Sequence, residues 1–125
     1  MQTETAVMTT HDVAERFNEL AQSGNLEQIH DELYADNAVS IEPESSPGMK
    51  TVQGIDAIKQ KGIQFQDMIE EMHGGYSGEP QIAGNHFAVA IGMDVTMKGQ
   101  ARSKMDEIAV YQVKDGKIVK EQFFY

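Results

Sequence analysis

Apolar residues in the first half of the chain recur at helical spacing. Within "HDVAERFNELAQSGN", Val13, Phe17, Leu20 and Ala21 share a face, with Thr9 or Thr10 to cap the start and Gly24 to stop the helix. Asn25 with Gln28 has the form of a capping box opening a short second helix, with Leu26, Ile29 and Leu33 on one side. From Gly54, the stripe Ile55, Ile58, Gly62, Phe65, Ile69 and Met72 predicts a third helix of about four to five turns. Between these two helices "AVSIE" fits a short strand and "PESSPGMKTVQ" a polar loop.

The second half changes period. In "HFAVAIGMDVTM", Phe87, Val89, Ile91, Met93, Val95 and Met97 alternate with the small or polar His86, Ala88, Ala90, Gly92, Asp94 and Thr96. "MDEIAVYQV" and "KIVKEQFFY" flank Lys114-Asp115-Gly116-Lys117, where Asp-Gly accepts the positive φ of a type I′ hairpin turn. Three helices followed by a meander of about four antiparallel strands, with one short strand inserted early, predict an α+β domain. Its helices should cover one face of a curved sheet and enclose an apolar cone. Residues 10–125 are expected to form this single domain, and residues 1–9 a flexible tail.

Composition narrows the partners. Twenty acids against ten bases give a formal charge of −10, which disfavours nucleic acid and anionic membranes. With no cysteine there can be no disulfide, thiolate metal site or cysteine nucleophile. No apolar run approaches a membrane span, and "MQTETAVMTTHD" lacks a leader's pattern, so a cytoplasmic protein is expected.

The candidate chemistry lies in carboxylates. Glu42 ends the short apolar run just before Pro43, either as a solvated strand-end acid or as a general base at the mouth of a pocket. Glu107 is in phase with Met105, Ala109, Tyr111 and Val113. Asp106 is in phase with Ile108 and Val110, and the pattern alone leaves open which of the two acids faces inward. A carboxyl group inside an apolar cone would hold its proton and serve as acid or donor. Tyr34, Tyr76 and Tyr111 are neutral hydroxyl donors. Glu27-x-x-His30 and Glu70-x-x-His73 have the spacing of di-iron bundles, but that chemistry needs four long facing helices, so no metal or cofactor is expected. The many methionines serve as core filler or as an adaptable ligand lining.

In order, the segments helix–"SGNLEQI"–"YADNAVSIEP", then "VQGIDAIKQ", then "VYQVKDGKIVKEQFFY" resemble the NTF2-like superfamily, in its SnoaL-like and ketosteroid-isomerase-like branch. The resemblance spans Thr10 to Tyr125 and implies the cystatin-like cone. It puts Glu42-Pro43 on the position of the isomerase's catalytic aspartate, and Tyr34 near Glu42. It puts Phe17, which cannot donate, where that enzyme has its oxyanion tyrosine, and Ile108 or Ala109 at the second donor. The implied activity is therefore not steroid isomerisation.

A cofactor-free isomerase, cyclase or dehydratase remains, in which Glu42 transfers a proton on a small hydrophobic carbonyl compound and Tyr34 or Glu107 donates. The pocket would be lined by Phe17, Met68, Met72, His73, Met93, Tyr111 and Phe123. Two other readings stay open: a noncatalytic binder of an apolar small molecule, or a structural homodimer with a filled pocket. Self-association is expected through the outer sheet face, where Ile108 and Val110 adjoin Ala88, Ala90 and Gly92.

Overall fold

The computed structural model describes residues 7–125, so most of the expected 1–9 tail lies outside the described residues. Val7 and Met8 lie against Gly116 in the last hairpin turn rather than standing free of the domain. Helix α1 (Thr10–Gln22) opens on a capping box in which the Thr9 hydroxyl accepts from the Asp12 amide and Asp12 accepts from the Thr9 amide. Helix α2 (Leu26–Leu33) starts differently. Asn25 makes no side-chain cap, and its amide donates instead to the Leu20 carbonyl, 2.9 Å away. The link is too tight for the expected box, because Gly24 at φ 77° folds Asn25 straight back onto the end of α1. Arg16 clamps the two helices together through both oxygens of Glu32, at 2.5 and 2.9 Å.

Strand β1 (Tyr34–Ile41) follows α2 directly, and the two-residue β2 (Val52–Gln53) leads into helix α3 (Ile55–Asp67). Helix α3 is shorter than its stripe suggested. Ile69 and Met72 belong to strand β3 (Ile69–Ser77), which pairs antiparallel with β5. The helical phase runs on past Asp67, but Gly74-Gly75 cannot sustain a helix, and pairing with β5 claims the backbone. Strands β4 (Gln81–Ala83), β5 (His86–Met97), β6 (Arg102–Lys114) and β7 (Lys117–Phe124) complete the sheet. Asp115 and Gly116, at φ 51° and 75°, make the β6–β7 turn that the sequence signals.

The strand order is β2-β1-β7-β6-β5-β3, with β4 beside β5. All pairs are antiparallel except β1 with β7, so the last strand lies between the first long strand and the meander. The three helices and this curved, mostly antiparallel sheet form the expected α+β architecture. The helices bury Val13, Phe17, Leu20, Leu33 and Ile58 against Phe87, Val89, Ala109, Tyr111 and Ile118. At the centre the Phe17, Phe87 and Tyr111 rings meet with centroids 4.7 to 5.4 Å apart. Phe87 is 1% exposed, so Phe87→Ala would leave a cavity between two rings that cannot both move into it. A loss of about 3–5 kcal/mol of unfolding free energy is expected, read as a lower urea midpoint.

Candidate functional site

Strand alternation aims Ala38, Ser40 and then Glu42 toward the helices from β1. In β7 the register slips between the Val113–Ile118 and Gln112–Lys120 pairs, leaving Val119 as an extra residue. That bulge puts Glu121, Phe123 and Tyr125 on the same face as Ile118. Without it, simple alternation from Ile118 would turn Lys120 and Gln122 inward. From α3, Lys61 stands three residues after the buried Ile58 and points into the same space.

These elements converge on a polar cluster at the end of the inner sheet face where Tyr125 reaches the surface. The Lys61 ammonium donates to Glu42 Oε2 at 2.7 Å and to Ser40 Oγ at 2.6 Å, and lies 5.5 Å from the centre of the Phe123 ring. Both partners of the ion pair are almost wholly buried, with side chains 9% and 6% exposed. Glu42 Oε1 accepts from the Tyr125 hydroxyl at 2.7 Å, and Ser46 Oγ of the 43–50 loop lies 2.9 Å from the same hydroxyl. Deeper in, Glu121 accepts from the Tyr34 hydroxyl and stands beside Ser40 across the β1–β7 pair.

Glu107 is the outlier. It faces inward opposite Ile91, half-buried, and no side chain among the described residues donates a hydrogen bond to it. Burial, then the charges of Glu42 and Glu121, push its carboxyl up to about 7, against the pull of Lys61. Tyr125 is pushed up to about 12 by burial and by its bond to Glu42, and so keeps its proton. Burial also raises Glu121, opposed by the hydroxyls of Ser40 and Tyr34 and by Lys61. The cluster thus holds one ammonium and three carboxyl groups, of which Glu107 is the one pushed up to about 7.

The structure gathers some of the expected site residues and disperses others. Glu42, Glu107, Phe123 and, one layer down, Tyr34 and Tyr111 are brought together, although Tyr34 donates to Glu121 rather than to Glu42. Asp106 lies on the outer face, accepting from Tyr76 at 3.0 Å, so Glu107 is the inward acid. Met68 and Met72 lie apart from the cluster. They are 36% and 51% exposed, because the chain leaves α3 before reaching them and enters the edge strand β3. His73 bonds the Thr96 hydroxyl at 2.8 Å, on the sheet face away from the helices. Met93 lines a surface hollow with Gly75, Tyr76, Gly92 and Lys104, apart from the cluster. Phe17 and Tyr111 pack against Phe87 instead of bordering open space.

The structure gives Glu42 a basic partner from a distant segment, Lys61. The signal was present. Lys61 sits three after Ile58 and four before Phe65, inside the apolar stripe, whereas the stripe's Gly62 is exposed. Glu121 carried a divided signal: it is in phase with Phe123, but alternation from Ile118 points the other way until the bulge at Val119 resets it.

A family model described as a SnoaL-like domain matches residues 8–125. A crystal structure from Mesorhizobium loti, provisionally named a SnoaL-like polyketide cyclase and, in brackets, a carbohydrate phosphatase, is 36% identical. It superposes with a TM-score of 0.87 over 94% of this chain and 100% of that one. A Xanthomonas campestris protein of unknown function with a cystatin-like fold gives 0.76 at 16% identity, over 94% and 90% of the chains. A provisionally named SnoaL-like polyketide cyclase from Jannaschia sp. CCS1 gives 0.71 at 14% identity, over 99% and 90%. The last two show the fold alone. No curated protein matches the sequence.

The raised Glu107 has a consequence for stability. Its folded-state value of about 7 exceeds the model-compound 4.5, so between those pH values the folded protein holds a proton that the unfolded chain has released. Stability from this group is therefore complete below pH 4.5 and lost as the pH rises through 7. Glu107→Gln is expected to raise the urea midpoint at pH 8 and to change it little at pH 5.

Proposed function

The chain belongs to the SnoaL-like domain family, and we propose that it enolises a small carbonyl compound at the polar cluster around Lys61, with Glu107 moving the proton. The observation that carries this is Glu107 itself, an unpartnered, half-buried carboxyl titrating at about 7 beside a fixed ammonium. A general base works best with a pKa near the working pH, and an acid already bonded to both Lys61 and Tyr125 is the poorer base. The proton-transfer role first considered for Glu42 therefore passes to Glu107, and Glu42 becomes the anchor of the two donors.

The step is simple in atoms and charge. The Glu107 carboxylate takes a proton from the carbon beside the carbonyl, and the electron pair of that C–H bond moves to the carbonyl oxygen. Lys61 has three N–H donors. Ser40 and Glu42 occupy two of them, which leaves a third for the oxyanion. Protonated Glu107 then returns the proton at another carbon, or the enolate carbon attacks a second carbonyl and closes a ring, and the alkoxide so formed takes the proton from Glu107. No cofactor is required. The polyketide cyclase name of the 36%-identical relative supports a substrate with several carbonyls. Its other name, carbohydrate phosphatase, gains nothing from this site, because a phosphate ester would meet three carboxylates and one ammonium.

A second reading, binding without turnover, is favoured by the packing of the Phe17, Phe87 and Tyr111 rings through the cone. It leaves a ligand only the mouth. Self-association is also part of the proposal. Ile108 and Phe124, cross-strand neighbours on the outer face, are each half exposed and offer a second copy an apolar surface. Sedimentation at micromolar concentration should give a dimer that Ile108→Lys dissociates, and a wild-type monomer would remove this part.

Proton exchange in D₂O on small β-dicarbonyl probes tests the enolisation. The rate should rise with pH through a limb near 7, and Glu107→Gln should lower it by roughly 10²-fold or more. Saturable binding of the probes without exchange would leave the binding reading in its place.

A further inference from the structure

Around Glu107 the charged and titratable groups come from four elements: Tyr34 and Glu42 from β1 and its end, Lys61 from α3, Tyr111 from β6, and Glu121 and Tyr125 from β7. Only one of them, Lys61, is a cation, and its position decides which carboxylate goes without a counter-ion. Two contacts fix that position. One is the direct bond to Glu42. The other is the bond to Ser40 Oγ, which spends an acceptor site on the ammonium, and the cross-strand neighbour of Ser40 is Glu121.

The direction of this chain is settled by its members. An ammonium can only donate, so Ser40 accepts from it and its own proton is left for the neighbouring Glu121, while Tyr34 donates to Glu121 from the other side. Glu121 is 5% exposed and accepts from the Tyr34 hydroxyl, so it is held as an acceptor. The pairing of Ser40 with Glu121 across the parallel β1–β7 ladder makes the arrangement a property of the sheet rather than of flexible side chains.

We propose that Glu121 is a positioning residue: acting through Ser40, it holds the Lys61 ammonium on the Glu42 side of the cluster and leaves Glu107 without a counter-ion. The functional part of this rests on the enolisation reading, because the uncompensated Glu107 is the base in that reading. Glu121 touches no ligand. Its effect reaches the reacting carboxyl through the placement of Lys61 and through its own charge.

The geometry makes a prediction that needs no substrate. Glu107 is titrated by side-chain carboxyl NMR in the wild type, in Glu121→Gln and in Ser40→Ala. Glutamine keeps an acceptor for Tyr34 but removes the charge that draws Lys61 inward. Its Glu107 is expected to titrate lower by roughly one pH unit. Ser40→Ala changes no charge and cuts only the relay, so the same direction with a smaller displacement is expected. A Glu107 titration unchanged in folded Glu121→Gln overturns the proposal. A displacement in Glu121→Gln with none in Ser40→Ala also overturns it, since Glu121 would then act by charge alone. If Glu121→Gln does not fold, the Ser40→Ala titration decides by the same criterion. Where β-dicarbonyl exchange is detectable, its pH limb should move down together with the titration. An absence of exchange in the wild type would sink the enolisation reading while leaving the NMR result to judge the positioning.

Discussion

One ammonium serves three inward carboxylates, and the arrangement of the polar cluster follows from that shortage. An ion pair as deeply buried as Lys61 with Glu42 is maintained only when its remaining donors and acceptors are filled. Ser40 takes one further donor of Lys61 and Tyr125 fills the second oxygen of Glu42, with Ser40 beside Glu121 and Tyr125 reaching Ser46. The charge left over falls on Glu107, the carboxylate with no donor. A second lysine would have quieted the cluster. With one, the surplus charge becomes a group able to gain and lose a proton near neutrality.

The cone divides into a dry base and a polar mouth, and the division follows the strands. At one end of β5 and β6, Phe87, Val89, Ala109 and Tyr111 meet α1 and α2 and exclude water. Moving along β6 by one inward position per two residues leads from Tyr111 through Ala109 to Glu107, so the same ladder that fills the core delivers the acid to its rim. Ala109, small and fully buried, separates the aromatic packing from the charged cluster.

Much of this was legible in the residues. The fold was readable because each piece carried its own local signal: the Thr9–Asp12 cap, the Asp115-Gly116 turn, and the strict alternation from Phe87 to Val95. The helix-to-strand change at Asp67 was not, because apolar positions at 69 and 72 satisfy both periods and only the pairing with β5 separates them. Within the site, Glu42 could be read from a single strand, whereas a strand apolar on both sides left Asp106 and Glu107 open until Tyr76 claimed Asp106 on the outer face. Lys61 was overlooked because a lysine in an apolar stripe is usually a solvated interruption. Glu121 and Tyr125 share the phase of Phe123, which was read as inward, but the Val119 bulge that sets that phase against Ile118 is a relation between two strands.

The position of β7 between β1 and β6 has a consequence for how the molecule comes into being. Tyr34 meets Glu121 across 87 positions of sequence, and Glu42 meets Tyr125 across 83. As the chain leaves the ribosome, α1, α2, β1 and α3 emerge with the centre of their sheet still missing. Until β7 inserts, Lys61 and Glu42 can find each other, but Glu121 and Tyr125 have not arrived and β1 has an open edge. Closure of the sheet and assembly of the charged mouth are thus one event, and it comes last. Partly made chains carry an unpaired strand, a feature that invites association with other chains, during the interval before that insertion.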